Sequence, residues 1–360
     1  MKTIVSLVSD QTVPNILFIR EMMPYDRLIF ISTEKMEKQD KTNTILSLVE
    51  NIISETVVVK EDDIDNIKEK LSNIEIEENE EFVVNITGGT KLMSIAVYEF
   101  FQNYSSKIYY MTIGKNSYTQ IYPKIEKEKN IEIELGIEEY FKSYHVKVEG
   151  YGKILKDKEY TKKFFEKYIC NQIKDEIIDK IRELRNSGGS KSSRKKKDLK
   201  EFPEIAEFLN QIKFQNSEEG YITKGEIEYL SGNWFEEFVY NLISEYIDSD
   251  KIGIGTQISN KNINNELDIV CIIKNSIHVI ECKTSIMNGE ENILTETVYK
   301  ITALRNNFGL TVKSYLFVLD EEIREKDRER AKLMNVTIID REILRDKKRF
   351  EEEFISEILK

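Results

Sequence analysis

Cysteine and histidine are scarce in this chain: three and two among 360 residues. Cys170, Cys271 and Cys282 lack CxxC spacing, and His145 and His278 stand apart, which excludes a zinc site or a disulfide framework as the organising feature. Each cysteine has apolar neighbours and reads as a small core residue. Nothing supports serine–histidine–aspartate catalysis, and His278 reads as a packed side chain. Positive charge is also in deficit. Against 65 acidic residues stand 53 basic ones, a net charge of −12. Nucleic-acid contact must therefore be local, metal-assisted or switched on. No apolar run reaches membrane-spanning length, and the N-terminus lacks the basic, long apolar and small-residue order of a signal peptide. A cytoplasmic protein without a membrane partner is expected.

What remains is ample for folding. Hydrophobic residues make up 40% of the chain and aromatics 10%, enough for packed cores, and the length suits two domains with a small connector. Residues 265–273 read as a strand, 274–276 as a turn and 277–284 as the returning strand. Both runs are apolar on each face, as in the middle of a sheet. Alternation puts Glu281 and Lys283 on the face of Ile277 and Val279, and Asp268 on that of Val270 and Ile272. Charges there are costly unless paired or bound to a metal. Two acids and a lysine converging on a buried hairpin suit a divalent cation. The carboxylates offer hard oxygen ligands to Mg²⁺ or Mn²⁺, and the ammonium orients water or offsets phosphate charge. Phosphodiester hydrolysis is the expected chemistry.

This D…ExK arrangement resembles the PD-(D/E)XK, restriction-endonuclease-like, nuclease superfamily. The resemblance implies Asp268 and Glu281 as metal ligands, Lys283 as the catalytic lysine and the Cys282 backbone carbonyl as a further ligand. The family often adds an acid from a preceding helix. Gly232-Asn233-Trp234-Phe235-Glu236-Glu237 opens a helix-period stretch upstream, and Glu236 is preferred to Glu237 for that role. No proline precedes Asp268, a departure at a position that varies in the family.

The first half alternates strand and helix. Strands are expected over 3–8, 27–32, 56–60, 82–87, 107–113 and 118–122, and helices over 14–22, 34–53, 64–74 and 91–103. Repeated βα units imply a mainly parallel sheet with helices on both faces. With strand order 3-2-1-4-5, a ligand would bind in the crevice outside strands one and four. The loop after strand one carries Ser9-Asp10-Gln11 and leads through Pro14 to Asn15. The loop after strand four reads Thr87-Gly88-Gly89-Thr90-Lys91. Paired glycines, a helix N-terminus and a lysine favour phosphate. The loop matches neither GxGxxG nor GxxxxGK[ST]. A tight strand–helix turn remains the alternative reading of its glycines.

These motifs resemble the CARF fold, the CRISPR-associated Rossmann domain that senses cyclic oligoadenylates. Followed by PD-(D/E)XK, the whole resembles ancillary nucleases of type III CRISPR systems. The resemblance implies a homodimer, a cyclic tetra-adenylate pocket and metal-dependent cleavage of DNA or RNA. The fold class is thus α/β: a Rossmann-like CARF domain over 1–140, a helical connector with a basic loop over 141–220, and a nuclease domain over 221–360. The basic run at 191–197 reads as a phosphate contact or a solvated loop. An amphipathic helix is expected over 296–305, where Tyr299, Lys300 and Arg305 are candidates for the scissile phosphate. An ungated repair or restriction nuclease, or a ligand-responsive nucleic-acid-binding regulator, remain as alternatives.

Overall fold

The computed structural model describes all residues except 51–52, 113, 188–195, 261–262, 286, 289–290, 293–296, 299–307, 310–311, 321–322 and 360. Runs of β-branched residues form the first sheet: β1 (Lys2–Leu7), β2 (Arg27–Thr33), β3 (Ile53–Val59), β4 (Glu81–Asn85), β5 (Ser106–Met111), β6 (Ser117–Tyr122) and β7 (Lys129–Asn130). Their spatial order is β3-β2-β1-β4-β5-β6-β7. The first five are parallel and the last two antiparallel, so the expected 3-2-1-4-5 order is present.

Helices α1 (Val13–Glu21), α2 (Glu34–Lys38), α3 (Lys41–Leu46), α4 (Ile64–Ser72) and α5 (Lys91–Phe101) connect the strands, and α6 (Ile137–Ser143) leaves the sheet. Residues 34–53, expected as one helix, form α2, α3 and the start of β3. Asp40 interrupts the run at φ 59, a conformation its short polar side chain tolerates. Thr90 caps α5, its hydroxyl accepting from Met93 N–H at 3.3 Å.

The second sheet takes its first strand from the segment expected as the connector. The second body comprises β8 (Lys147–Gly150), α7 (Lys158–Ile169), α8 (Asp175–Ser187), β9 (Lys196–Asp198), α9 (Pro203–Gln211), β10 (Tyr221–Thr223), α10 (Lys224–Glu228) and α11 (Trp234–Ile243). Strands β11 (Ile252–Asn260), β12 (Ile263–Ile273) and β13 (Ser276–Lys283) follow. Then come the short pair β14 (Met287–Asn288) and β15 (Glu291–Asn292), and finally β16 (Lys313–Val318) and β17 (Val336–Ile339). The large sheet runs β17-β16-β13-β12-β11-β8. The segment expected as a connector therefore supplies an edge strand. Its helices pack inward as well: Phe164 lies 4.7 Å from Trp234 and Phe165 stacks on Phe238 at 4.0 Å, ring centroid to centroid. Aromatic residues in a charged helical stretch made it part of the core.

One apolar cluster crosses between the two sheets. It joins Ile4 and Phe18 of the first body, Tyr140 and Phe141 of α6, and Val270, Ile277 and Val279 of the nuclease hairpin. The opposite face of that hairpin, with Ile269, Cys271, Ile280 and Cys282, packs against Trp234 and Phe235. Cys271 and Cys282 are buried as expected. Cys170 is not: it is exposed where α7 ends. His278 is a packed side chain, its ring parallel to Tyr315 at 5.8 Å. Among the described residues no helix is long and apolar enough to cross a membrane. The helix expected over 296–305, with Tyr299, Lys300 and Arg305, lies largely outside the described residues, as do residues 191–195 of the basic run.

Candidate active site and ligand crevice

The β12–β13 hairpin turns through Lys274 and Asn275, both left-handed at φ 47 and 59, the geometry of a two-residue hairpin turn. That turn sets the register in which Ile269 faces Ile280, bringing Asp268 and Glu281 together one step further along. The Cys282 N–H donates to Asp268 Oδ2 at 2.8 Å. Lys283 Nζ lies 2.9 Å from Glu281 Oε1 and 3.6 Å from Asp268 Oδ2. Burial lowers the Lys283 pKa, but the two carboxylates outweigh it and hold the ammonium above its ordinary value.

The two neighbouring glutamates of α11 do different work. Glu237 is buried and accepts from the backbone N–H groups of Leu155 and Lys156, tying down the chain ahead of α7. Glu236 faces the cluster: burial first, then the Asp268 carboxylate, push its carboxyl up to about 8, with Lys283 opposing. Glu266, on the same strand as Asp268, adds to that negative field.

Among the described residues, no group of three or more His, Cys, Asp or Glu side chains is gathered as a metal cluster. In this arrangement Lys283 bridges the two carboxylates. The donor set of Asp268, Glu281 and the Cys282 carbonyl, with Glu236 beside it, nonetheless consists of hard oxygens and suits Mg²⁺ or Mn²⁺.

Sequence reasoning missed two arginines. On α8, Arg182 Nη2 donates to Thr284 Oγ1 at 3.3 Å and Arg185 Nη1 to Ser231 Oγ at 3.3 Å. Their i, i+3 spacing on an amphipathic helix was visible, but only the fold shows that this helix lies beside the hairpin. In the basic run, Lys196 pairs with Glu218 and lies over the Tyr221 ring.

At the other end of the hairpin is a crevice. Ser9, Gln11, Asn15, Thr87 and Gly88 line it, together with Lys115, Tyr144 and the hairpin turn Lys274, Asn275 and Ser276. Asp10, Gly89, Thr90 and Lys91 are not part of this lining; Asp10, Gly89, Thr90 and Lys91 are exposed around the same strand ends. Asn15 lines the crevice while its amide donates to Ser6 Oγ and the Leu7 carbonyl, both at 2.8 Å. It braces the end of β1 with the donors a ligand would have used. Thr87 Oγ1 similarly accepts from Met111 N–H at 2.8 Å.

Both glycines have packing reasons. A Cβ on Gly88 would stand 2.3 Å from the Leu7 carbonyl oxygen, and Gly89 has φ +72. Lys41, missed because α2 and α3 read as one helix, donates to the Asp10 carbonyl at 3.0 Å.

The crevice and the hairpin are physically joined. Asn275 Nδ2 donates to Asn116 Oδ1 at 2.8 Å and to the Ile133 carbonyl at 2.7 Å, while Leu135 N–H donates to Asn275 Oδ1 at 2.9 Å. Tyr144 Oη donates to Gln11 Oε1 at 3.0 Å.

Residues 3–140 match the family model of the Card1 CARF domain, and residues 223–356 that of the Card1-like endonuclease domain. No curated protein sequence matches the chain. Among solved structures, protein VC1899 from Vibrio cholerae superposes with a TM-score of 0.78 at 18% identity, over 99% of this chain and 98% of that one. Can2 from Sulfobacillus thermosulfidooxidans, solved in complex with cyclic tetra-adenylate, gives a TM-score of 0.73 at 20% identity over the whole of both chains. A type III CRISPR defence DNA nuclease activated by cyclic oligoadenylate gives 0.53 at 13% identity, covering 95% of this chain and 50% of that one. These likenesses speak to the fold, and the two family models to the domains: the chain belongs to the CRISPR-associated nucleases that join a Card1 CARF domain to a Card1-like endonuclease domain.

Proposed function

We propose that the protein is a cyclic-oligoadenylate-activated, divalent-metal-dependent endonuclease of type III CRISPR defence, acting in the cytoplasm on DNA, with single-stranded RNA as the alternative substrate. One observation carries the reading: a single hairpin bears Asp268, Glu281 and Lys283 at one end, and its turn lines the crevice formed by Ser9, Gln11 and Gly88. About seven residues of extended strand separate the two ends, roughly 20 Å.

In this reading Asp268, Glu281 and the Cys282 carbonyl hold Mg²⁺ or Mn²⁺, and Glu236 supplies a further acid. The bound cation would supply Lewis acidity toward the phosphate and a lowered pKa for water. Lys283 is released from bridging the carboxylates to orient the attacking water and to offset phosphate charge.

Activation needs two copies. A ring of four adenylates has rotational symmetry that a C2 dimer matches, each chain offering Ser9, Asp10, Gln11 and the loop Gly88, Gly89, Thr90 and Lys91. The exposure of Leu92 at 37% and Ile95 at 55%, on the helix that carries this loop, supports a second copy packing there. The apolar cluster shared by the two sheets resists hinge motion within one chain. The ring is therefore assigned to selecting between dimer arrangements, with the Asn275 turn carrying the difference to the metal site.

Cleavage of single-stranded DNA and RNA with Mg²⁺ or Mn²⁺, with and without cyclic tetra-adenylate and hexa-adenylate, tests this directly. Equal rates with and without either ring would leave an ungated nuclease, and binding without cleavage would leave a regulator.

A further inference from the structure

The candidate active site carries an electrostatic conflict. Asp268 and Glu281 lie against one lysine, with the Glu236 carboxyl and the field of Glu266 beside them, in a chain of net charge −12. A nucleic-acid strand brings one more negative charge with every nucleotide. Binding it there calls for fixed cations nearby, and the two arginines of α8 are bonded to residues that flank the cluster in sequence, Thr284 and Ser231.

The geometry is set by packing. Ile178 and Ile181 are buried and Ile177 and Leu184 half-buried against the nuclease core, so the apolar stripe of α8 is docked. Arg182 and Arg185, three residues apart, project together from the adjoining face. Arg182 reaches Thr284, the residue after Lys283, and is braced by Asp179 at 3.0 Å. Arg185 reaches Ser231, in the π-helical turn Tyr229–Asn233 that leads into α11 and Glu236. One guanidinium thus stands beside the exit of β13 and the other beside the entry to α11. Neither Thr284 nor Ser231 carries a charge, so each guanidinium meets a neutral oxygen there, where a phosphate would offer an anionic, bidentate acceptor.

We propose that Arg182 and Arg185 bind the phosphodiester groups flanking the scissile bond, holding the strand across the carboxylates. The proposal rests on the nuclease reading above. It assigns the arginines to substrate binding, with the chemical step left to the hairpin cluster. Phosphate contacts carry no base information, so the contribution is the same for every sequence.

The test separates binding from chemistry. In the Glu281→Gln background, fluorescence anisotropy measures binding of labelled single-stranded DNA and RNA of the same sequence across a salt series, without turnover. Arg182→Ala with Arg185→Ala should weaken binding by about 10- to 100-fold at moderate salt. It should also flatten the slope of log K against log salt by about 1.4, two phosphates at about 0.7 each. Arg185→Glu, a single change at an exposed position, should weaken binding further than Arg185→Ala without altering the melting temperature. A loss confined to one nucleic acid identifies the substrate. Made without the Glu281→Gln change, the arginine variants should raise KM with kcat within about twofold of the parent, and calorimetric affinity for cyclic tetra-adenylate should hold. An unchanged affinity and salt slope in both double and single variants would overturn the proposal, even if the parent cleaves. A parent that binds with the expected slope but never cleaves would instead count against the nuclease reading alone.

Discussion

Asp268, Glu281 and Lys283 sit in the middle of a sheet, where charges are costly unless paired or bound to a metal, whereas Ser9, Asp10 and Gln11 sit at strand ends, where polar residues cost little. Glu281 is 2% exposed and lies 2.9 Å from the Lys283 ammonium. A buried cluster of that kind gains little net stability from its own pairing. The crevice loops carry no such penalty. Gly88 is required by the Leu7 carbonyl and Thr90 caps α5, so the same motif serves the turn whether or not a ligand comes.

The comparison breaks first at the cluster. Glu281→Ala or Asp268→Ala should lower cleavage by about a thousandfold or more, with EDTA equivalent on the parent protein. Lys283→Ala should cost about a hundredfold while calorimetry still detects Mn²⁺ binding. Loss of activity with metal affinity intact in all three variants would remove the metal-ligand assignment.

The joint between the two regions should respond next. Asn275 holds three hydrogen bonds to the first body from a left-handed position. Asn275→Gly keeps the backbone freedom and removes the bonds. The ratio of activated to unactivated cleavage should fall about tenfold, a coupling free energy within the ordinary allosteric range. Ring affinity by calorimetry should move by no more than about threefold. If affinity and activation fall together, Asn275 belongs to the crevice and does not transmit its state.

At the crevice itself the effect is smaller. Lys91 is exposed at the N-terminus of α5, so a phosphate there gains from a solvated cation and a helix end. Lys91→Ala should raise the ring concentration for half-maximal cleavage about tenfold and leave the maximal rate alone. A changed maximal rate at saturating ring would place Lys91 on the activation path.

Much of this was legible in the sequence because periodicity and misplaced charge are local signals. A mainly parallel sheet followed from repeated βα units, and the hairpin carrying Asp268 and Glu281 from two apolar runs around a turn; the turn is one residue shorter than the expected 274–276, because Ser276 pairs with Ile273, and this sets Asp268 opposite Glu281. Other parts required long-range packing. Nothing near Asn275 indicates that it bonds to residues 116, 133 and 135, and nothing near Arg182 that it reaches residue 284. Phe164, Phe165 and Phe208 of the segment expected as a connector pack into the same core as Trp234 and Phe235, a fact of three dimensions. The amide of Asn15, beside the ligand loop, is likewise bonded to β1, which its sequence neighbours do not indicate.

The smallest expected effect concerns the face of β13 away from the cluster. His278 is buried beside Tyr315, and burial first, then the Lys313 ammonium, hold its pKa down at about 3. In the unfolded chain it titrates near its ordinary value of about 6.5. Between those two values the unfolded state binds the extra proton, so stability rises with pH up to about 6.5 and is lost as pH falls below it. From pH 7.5 to pH 5 this one group should cost the nuclease body about 2 kcal/mol, at 1.36 kcal/mol for each unit below 6.5. His278→Phe keeps a ring against Tyr315 and removes the titration. Its melting temperature should fall less than the parent's across that interval, as read by thermal unfolding in matched buffers. Identical pH profiles would mean that His278 is charged in the folded protein. The contrast between a face that buries neutral groups and one that gathers charge would then no longer hold.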